Sequence, residues 1–134
     1  MAEDLLSVSE LFDGILPSAL ANAPDAARRV GAVFTFKLTG LGGGTWTVDL
    51  KSAFPSVSKG PVANADVTIA VSAKDFLRMT RDPDSGTELF MKGRLRVTGD
   101  PTLAPRLQDL FSIAENELPR YRFRKELLRS EEHT

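Results

Sequence analysis

Residues able to perform acid–base or nucleophilic chemistry are few in this 134-residue sequence. It contains no cysteine, and its one histidine, His133, lies in a polar, charged segment. A serine nucleophile would therefore lack the neighbouring base that activates it. The acidic residues fall in predicted helix caps, turns and outward strand positions, not on apolar stripes where burial would adapt a carboxyl group for proton transfer. The sequence predicts a protein that is not an enzyme and that needs no metal or other cofactor.

Two loops have compositions typical of ion-binding sites. The glycine-rich residues 40–44 resemble a phosphate-binding loop. Such a loop precedes a helix, whereas a strand pattern follows here, so we predict a hairpin turn. Residues 82–86 begin like a calcium-binding loop, but the twelfth position, which requires a bidentate carboxylate, is Gly93. A turn between two helices is predicted there instead.

Net charge and composition limit the classes of partner. The formal net charge is −1, whereas nucleic-acid-binding domains carry a basic surface, so no nucleic-acid partner is expected. No apolar run approaches the roughly 20 residues of a membrane span, and Glu3 and Asp4 stand where a signal peptide is basic. With 42% hydrophobic and 26% charged residues, the chain is expected to form one globular domain. We expect it to be soluble and cytoplasmic.

The segment from residue 118 onward differs from the rest in being polar and densely charged. Five basic residues alternate with two aromatic ones between residues 120 and 129, where Glu126 is the one acid. The five are Arg120, Arg122, Arg124, Lys125 and Arg129. Weak docking to an anionic membrane surface and a solvated tail are both open. We predict a domain over residues 1–117 followed by a charged tail over 118–134.

Helix signals stand at the beginning of the chain and in its second half. Ser7 and Glu10 have the spacing of a capping box, and an apolar helical stripe follows as far as Pro17, which should end or kink the helix. Two short helical turns, residues 18–22 and 25–29, are expected before residue 31. Three later helices are predicted to begin after caps at Ser72, Ser85 and Thr102.

Apolar residues with a period of two predict five strands. The strands span residues 32–39, 45–51, 54–58, 66–72 and 94–99. Pro55 cannot donate to a sheet ladder, so the third strand belongs at an edge. The apolar residues can all lie on one side of the sheet, and helices must cover that side. The fold class is therefore predicted as α+β, a five-stranded mixed sheet with helices on one face.

Large apolar side chains on this sheet face and on the covering helices are candidates for ligand contact. Periodicity does not decide whether they fill the core or line a cavity. The candidates from the sheet are Phe34, Phe36 and Trp46, and those from the helices are Phe76, Met79, Phe90, Met91, Leu103, Leu107 and Phe111.

In the order and spacing of its segments, the sequence resembles the sterol-carrier-protein-two (non-specific lipid-transfer) family over residues 30–111. The segments that carry the resemblance are residues 31–36 (GAVFTF), 45–49 (TWTVD), 65–69 (ADVTI), 75–77 (DFL), 90–100 (FMKGRLRVTGD) and 107–108 (LQ). The resemblance implies an apolar tunnel between sheet and helices for a fatty acid, fatty acyl-CoA, sterol or phospholipid. It implies no catalysis and no metal. The alternative is an interaction module with a closed cavity, which forms a homodimer or docks to a partner enzyme.

One residue that departs from the family pattern is Lys92, because the family often has glutamine there. We hypothesise that Lys92 binds an anionic lipid head group with the help of Gln108. The alternative is a solvated lysine near a helix C-terminus, where the helix dipole favours a cation.

Overall fold

The structure is a computed structural model that describes residues 7–82 and 84–132, with side chains as far as residue 128. His133, Pro83 and the side chain of Arg129 lie outside the described residues. The chain forms five strands in one sheet and six α-helices within the described ranges. The α+β class with a five-stranded mixed sheet is confirmed.

The N-terminal helical segment comprises α1 (Val8–Glu10), a π-helical turn (Leu11–Ile15) and α2 (Leu16–Asn22) without interruption. The capping box is confirmed, because the Glu10 backbone N–H donates to the Ser7 hydroxyl at 3.0 Å and Glu10 Oε1 accepts from the Ser7 N–H at 3.4 Å. Of the two outcomes predicted at Pro17, an end or a kink, the first does not occur, because the helix continues to Asn22. A proline ring collides with the carbonyl four residues earlier, and the wider π turn just before Pro17 makes room for it. Helix α3 (Pro24–Val30) then ends at Gly31, whose φ of 64° is the left-handed cap conformation.

The sheet is built from β1 (Val33–Thr39), β2 (Gly44–Asp49), β3 (Ser56–Lys59), β4 (Val67–Ser72) and β5 (Arg96–Gly99). Their order is β3-β2-β1-β4-β5, so the third strand lies at an edge as predicted. The β1–β4 pair is parallel and the other pairs are antiparallel. The glycine-rich residues 40–43 form the turn between β1 and β2, which confirms the predicted hairpin.

The apolar face of the sheet is buried against the N-terminal helix. Phe12 is the centre of an aromatic cluster, with ring centroids 4.8 Å from Trp46, 5.2 Å from Phe36 and 5.6 Å from Phe76. The opposite face is less exposed than the alternation indicates. Thr35 and Thr47 are buried there, with their hydroxyl groups 3.0 Å apart across β1 and β2.

Two helices connect β4 to β5. Helix α4 (Ala73–Arg81) begins as predicted, because the Ser72 hydroxyl accepts the Asp75 N–H at 3.1 Å. Helix α5 (Ser85–Met91) lacks the predicted side-chain cap. The Ser85 hydroxyl instead donates to the Asp82 carbonyl at 2.7 Å, which stabilises the turn between the two helices.

After β5 the chain forms a 3₁₀ helix (Pro101–Arg106) and then α6 (Leu107–Glu132). The cap predicted at Thr102 is instead Asp100, which accepts the Thr102 N–H at 3.0 Å. The domain boundary predicted at residue 117 falls inside α6.

The second half of α6 lies along the N-terminal helical segment. Lys125 Nζ donates to Glu10 Oε2 at 2.6 Å, Arg124 donates to the Ser18 hydroxyl at 2.6 Å, and the Tyr121 ring lies against Gly14. The hydrogen bond from Lys125 holds the pKa of Glu10 below its ordinary value. Residues 121–125 of the predicted charged tail are therefore in contact with the N-terminal helical segment. Their contacts are mostly polar, which is why apolar periodicity gave no sign of them.

Candidate functional site

An apolar cavity of about 430 Å³, here called cavity A, lies between the helices and the β5 edge of the sheet. Its wall combines residues of α4, α5, the segment at β5, the 3₁₀ helix and α6. They are Met79, Gly86, Thr87, Phe90, Leu95, Val97, Pro101, Ala104, Pro105, Leu107, Gln108 and Phe111. The lining is apolar apart from Thr87 and Gln108. Such a cavity can hold an apolar chain and offers it few hydrogen bonds.

The fold explains how these residues meet. Helix α4 directs Met79 inward, where it is buried, while Phe90 at the end of α5 is 58% exposed and stands at the rim of cavity A. Val97 comes from the edge strand β5 and Leu95 from the residue just before it, and both lie inward as their alternation predicts. The 3₁₀ helix supplies Ala104 and two prolines, which sequence reasoning missed because such a short, proline-bounded helix has no apolar stripe.

Cavity A brings together five of the predicted ligand-binding residues. They are Met79, Phe90, Leu107, Gln108 and Phe111. Leu103 is half-buried and packs against the core without lining the cavity. The ligand-contacting role of all of these remains a prediction.

Four other predicted residues belong to the packed core. Phe34, Phe36, Trp46 and Phe76 are almost completely buried and line neither cavity A nor the second cavity described below. Trp46 stacks on Phe12, and its indole N–H donates to Asp13 at 3.1 Å. The N-terminal helix therefore covers the part of the sheet face where the sequence predicted contact with a ligand.

Met91 and Lys92 lie apart from cavity A, on an open surface depression that they share with Asp84, Thr87 and Glu88. Lys92 Nζ donates to Glu88 Oε1 at 3.0 Å, and this hydrogen bond lowers the pKa of Glu88 from its ordinary value. Lys92 and Gln108 thus line different concavities. Their joint head-group role stays a prediction, and the two acidic neighbours of Lys92 disfavour an anion beside it.

A second cavity of about 280 Å³, here called cavity B, lies between the N-terminal helical segment, α4 and α6. Its lining residues are Leu11, Ile15, Leu77, Thr80, Arg81, Phe111, Ala114, Glu115 and Leu118. Phe111 therefore lines both cavities, and its ring meets Phe76 edge-on at a centroid distance of 5.7 Å. Sequence reasoning did not identify cavity B, because its apolar residues come from three segments that are distant in the chain.

Among residues 7–82 and 84–132, no group of three or more His, Cys, Asp or Glu residues is arranged to hold a metal ion. Within the same ranges, no helix is both long and apolar enough to cross a membrane.

Similarity to known proteins indicates the family and the fold of this chain. The model of the SCP-2 sterol transfer family matches residues 12–112. Hydroxysteroid dehydrogenase-like protein 2 of Bos taurus is 36% identical over 95 residues, which cover 70% of this chain and 23% of that protein. The chain thus spans less than a quarter of the length of this relative.

Two solved structures share the architecture. Sterol carrier protein 2 from Yarrowia lipolytica, in its apo form, has a TM-score of 0.62 and 24% identity, with 80% of this chain and 85% of that chain covered. Palmitated SCP2L2 from Aedes aegypti has a TM-score of 0.57 and 28% identity, with coverage of 79% and 95%. The family match extends over most of the sequence and over every element from the π turn to the start of α6. The chain belongs to the SCP-2 sterol transfer family.

Proposed function

We propose that this domain is a carrier for one long-chain lipid, and that the apolar part of the lipid lies in cavity A. The observation that carries the proposal is the cavity itself, about 430 Å³ with only Thr87 and Gln108 as polar lining. That volume lies within the range of small-molecule sites, roughly 300–1,000 Å³. The palmitated relative from Aedes aegypti supports an acyl chain as ligand.

Burial of the acyl chain supplies the binding energy. About sixteen methylene groups at ~0.8 kcal/mol each give a gross gain near ~13 kcal/mol. Loss of ligand freedom and ordering of the chain offset a large part of this gain. We therefore expect a dissociation constant in the micromolar range or somewhat lower.

The proposal is tested by filling cavity A. Ala104 lies in the 3₁₀ helix, half-buried at the cavity wall, so Ala104→Phe should take up space that the acyl chain needs. Ala63 is exposed in the loop before β4, and Ala63→Phe is the matched control. Palmitate affinity is measured by calorimetric titration of delipidated protein, and bound lipid is identified by native mass spectrometry.

We expect Ala104→Phe to weaken palmitate binding at least about tenfold, equivalent to ~1.4 kcal/mol, and Ala63→Phe to leave it unchanged. Equal affinity of the two variants would exclude cavity A as the site. Failure of the wild-type protein to bind palmitate, acyl-CoA or sterol, with no co-purifying lipid, would refute the carrier function.

We propose further that the domain is not catalytic. A lining with few polar groups holds and releases a ligand without offering a group for proton transfer or nucleophilic attack. The dehydrogenase-like relative is a much longer protein, so a carrier domain of this kind can act beside an enzymatic one. Incubation of the bound lipid with the domain, followed by mass spectrometry, should return the lipid unchanged.

A dimerisation module is the second candidate function. Phe123, Leu127 and Leu128 are 64%, 50% and 60% exposed on the second half of α6, beyond the residue where the family match ends. Phe123 and Leu127 are one helical turn apart and share a face of α6, and exposed apolar side chains grouped on one face are typical of an interaction surface. Sedimentation velocity of the wild type and of Phe123→Ser tests this. A wild type that remains monomeric at every concentration would exclude the second candidate.

A further inference from the structure

Arg81 is a cation at the edge of cavity B. It is the last residue of α4, it is exposed, and it lines cavity B. Within the part of the chain that the structure describes, it takes part in no hydrogen bond or ion pair. Arg78, on the preceding turn of the same helix, instead pairs with Glu88 at 3.6 Å. The guanidinium group of Arg81 therefore remains available to an anion from outside the chain.

Cavities A and B follow each other along α6. Leu107 and Gln108 line cavity A, Ala114 and Leu118 line cavity B, and Phe111 lines both. Eleven residues of α-helix separate Leu107 from Leu118, which is about 16 Å. An elongated ligand can thus contact both cavities if it passes the ring of Phe111. A compact ligand would occupy only one of them.

The charges around the two cavities differ. The lining of cavity A contains no charged residue, whereas cavity B has Arg81 on α4 and Glu115 on α6. Glu115 is exposed, and a bound anion would be attracted by the first residue and repelled by the second. Substitutions that neutralise these two residues should therefore have opposite effects on an anionic ligand and little effect on a neutral one.

We propose that cavity B is a head-group subsite, in which Arg81 binds the anionic head of a single-chain amphiphile whose apolar chain lies in cavity A. This inference rests on the carrier function proposed above and specifies its ligand class. Arg81 presents planar, paired donors that match a carboxylate or a phosphate. A sterol hydroxyl, which is neutral, would gain little from it.

The test compares an acid with the alcohol of equal chain length. Palmitate, hexadecyl phosphate and hexadecanol are titrated by competition against wild type, Arg81→Gln, Glu115→Gln and the control Arg78→Gln. Because Arg81 is exposed, its hydrogen bond to a charged group is taken at the lower end of the usual range, about tenfold in affinity. We expect Arg81→Gln to weaken palmitate about tenfold, Glu115→Gln to strengthen it a few-fold, and hexadecanol binding to stay within about twofold in every variant.

Each outcome decides the assignment. If Arg81→Gln weakens the binding of both palmitate and hexadecyl phosphate, the subsite accepts anions in general. If it weakens only palmitate binding, the subsite is specific for carboxylates. The head-group subsite would be overturned if Arg81→Gln weakened palmitate and hexadecanol equally, if it weakened neither, or if Arg78→Gln weakened palmitate to the same extent. None of these results would contradict the carrier function. A wild type that binds neither palmitate nor hexadecanol would overturn the head-group subsite, and it would refute the carrier function as well if acyl-CoA and sterol also fail to bind and no lipid co-purifies. Thermal unfolding of each variant without ligand separates a binding effect from a loss of fold.

Discussion

Replacing Gly14 with alanine should destabilise the wild-type protein, yet stabilise a protein that already carries Tyr121→Ala. Gly14 lies in the π turn of the N-terminal helical segment, and the ring of Tyr121 from α6 covers it. A Cβ atom at position 14 would come within 2.9 Å of Tyr121 Cε1 and 3.0 Å of its hydroxyl oxygen. Those distances are shorter than van der Waals contact, so the ring or α6 must move.

Two opposing free-energy terms set the effect of Gly14→Ala on the stability of the protein. Alanine is favoured over glycine in a helix interior by about 0.5–1 kcal/mol. Overpacking a closed contact costs about 1–3 kcal/mol. Their sum is a net loss of about 1 kcal/mol in the wild-type background. Without the Tyr121 ring, the overpacking cost disappears and only the helix-propensity gain of alanine remains. The coupling free energy between the two substitutions should therefore equal the overpacking cost, about 1–3 kcal/mol.

Urea unfolding of the wild type, both single variants and the double variant measures this coupling. Gly86→Ala is the matched control, because Gly86 lies in α5 and a Cβ there would meet Met79 Cε at 3.6 Å, an ordinary contact. That substitution should stabilise the protein in either background. If Gly14→Ala has the same effect with and without Tyr121, then the second half of α6 does not pack over the N-terminal helix, and the described wall of cavity B at Leu118 is wrong.

Two further predictions concern the core and the pH dependence of stability. Leu110→Ala, in the closed core, should cost about 3–5 kcal/mol by urea unfolding, whereas Leu107→Ala, at the wall of cavity A, should cost about 2–3 kcal/mol. Only Leu107→Ala should alter palmitate affinity, and altered affinity in both would place the ligand elsewhere. Because the hydrogen bond from Lys125 lowers the pKa of Glu10 in the folded state, the carboxylate contributes stability that is complete above the ordinary glutamate pKa. This contribution, under about 1 kcal/mol, is lost as pH falls through the lowered pKa. Unfolding free energies of Glu10→Gln across that acidic interval should lack this part of the pH dependence, and an unchanged profile would contradict the ion pair.

Local sequence signals were sufficient for the five strands and for the edge position of the third. The alternation in residues 32–39 and 45–51 placed Phe34, Phe36 and Trp46 on one face, and the structure buries all three. Pro55 placed the third strand at an edge because a proline cannot donate to a ladder. These features depend on backbone chemistry and on side-chain periodicity, both of which act between residues close in the chain.

Local signals did not reveal how α6 docks. Residues beyond 117 have no sustained apolar stripe, and their attachment rests on polar contacts such as Lys125 with Glu10 and on the close approach of Tyr121 to Gly14. A glycine in a helical pattern shows that space is available, but it does not show which side chain fills that space.

The amino-acid sequence is enough to predict that one face of a five-stranded sheet is apolar and must be covered, because burying that surface is the main favourable term in folding. It does not predict which of the covering side chains fill the core and which line a cavity, and that distinction comes from tertiary packing. Phe12 closes the sheet face over Trp46 and Phe76, whereas the described side chains leave the space between α5, the 3₁₀ helix and Leu107 open as cavity A. The difference arises because packing depends on the volumes and relative positions of segments distant in the chain. Periodicity reports which way a side chain faces and carries no information about what it meets there.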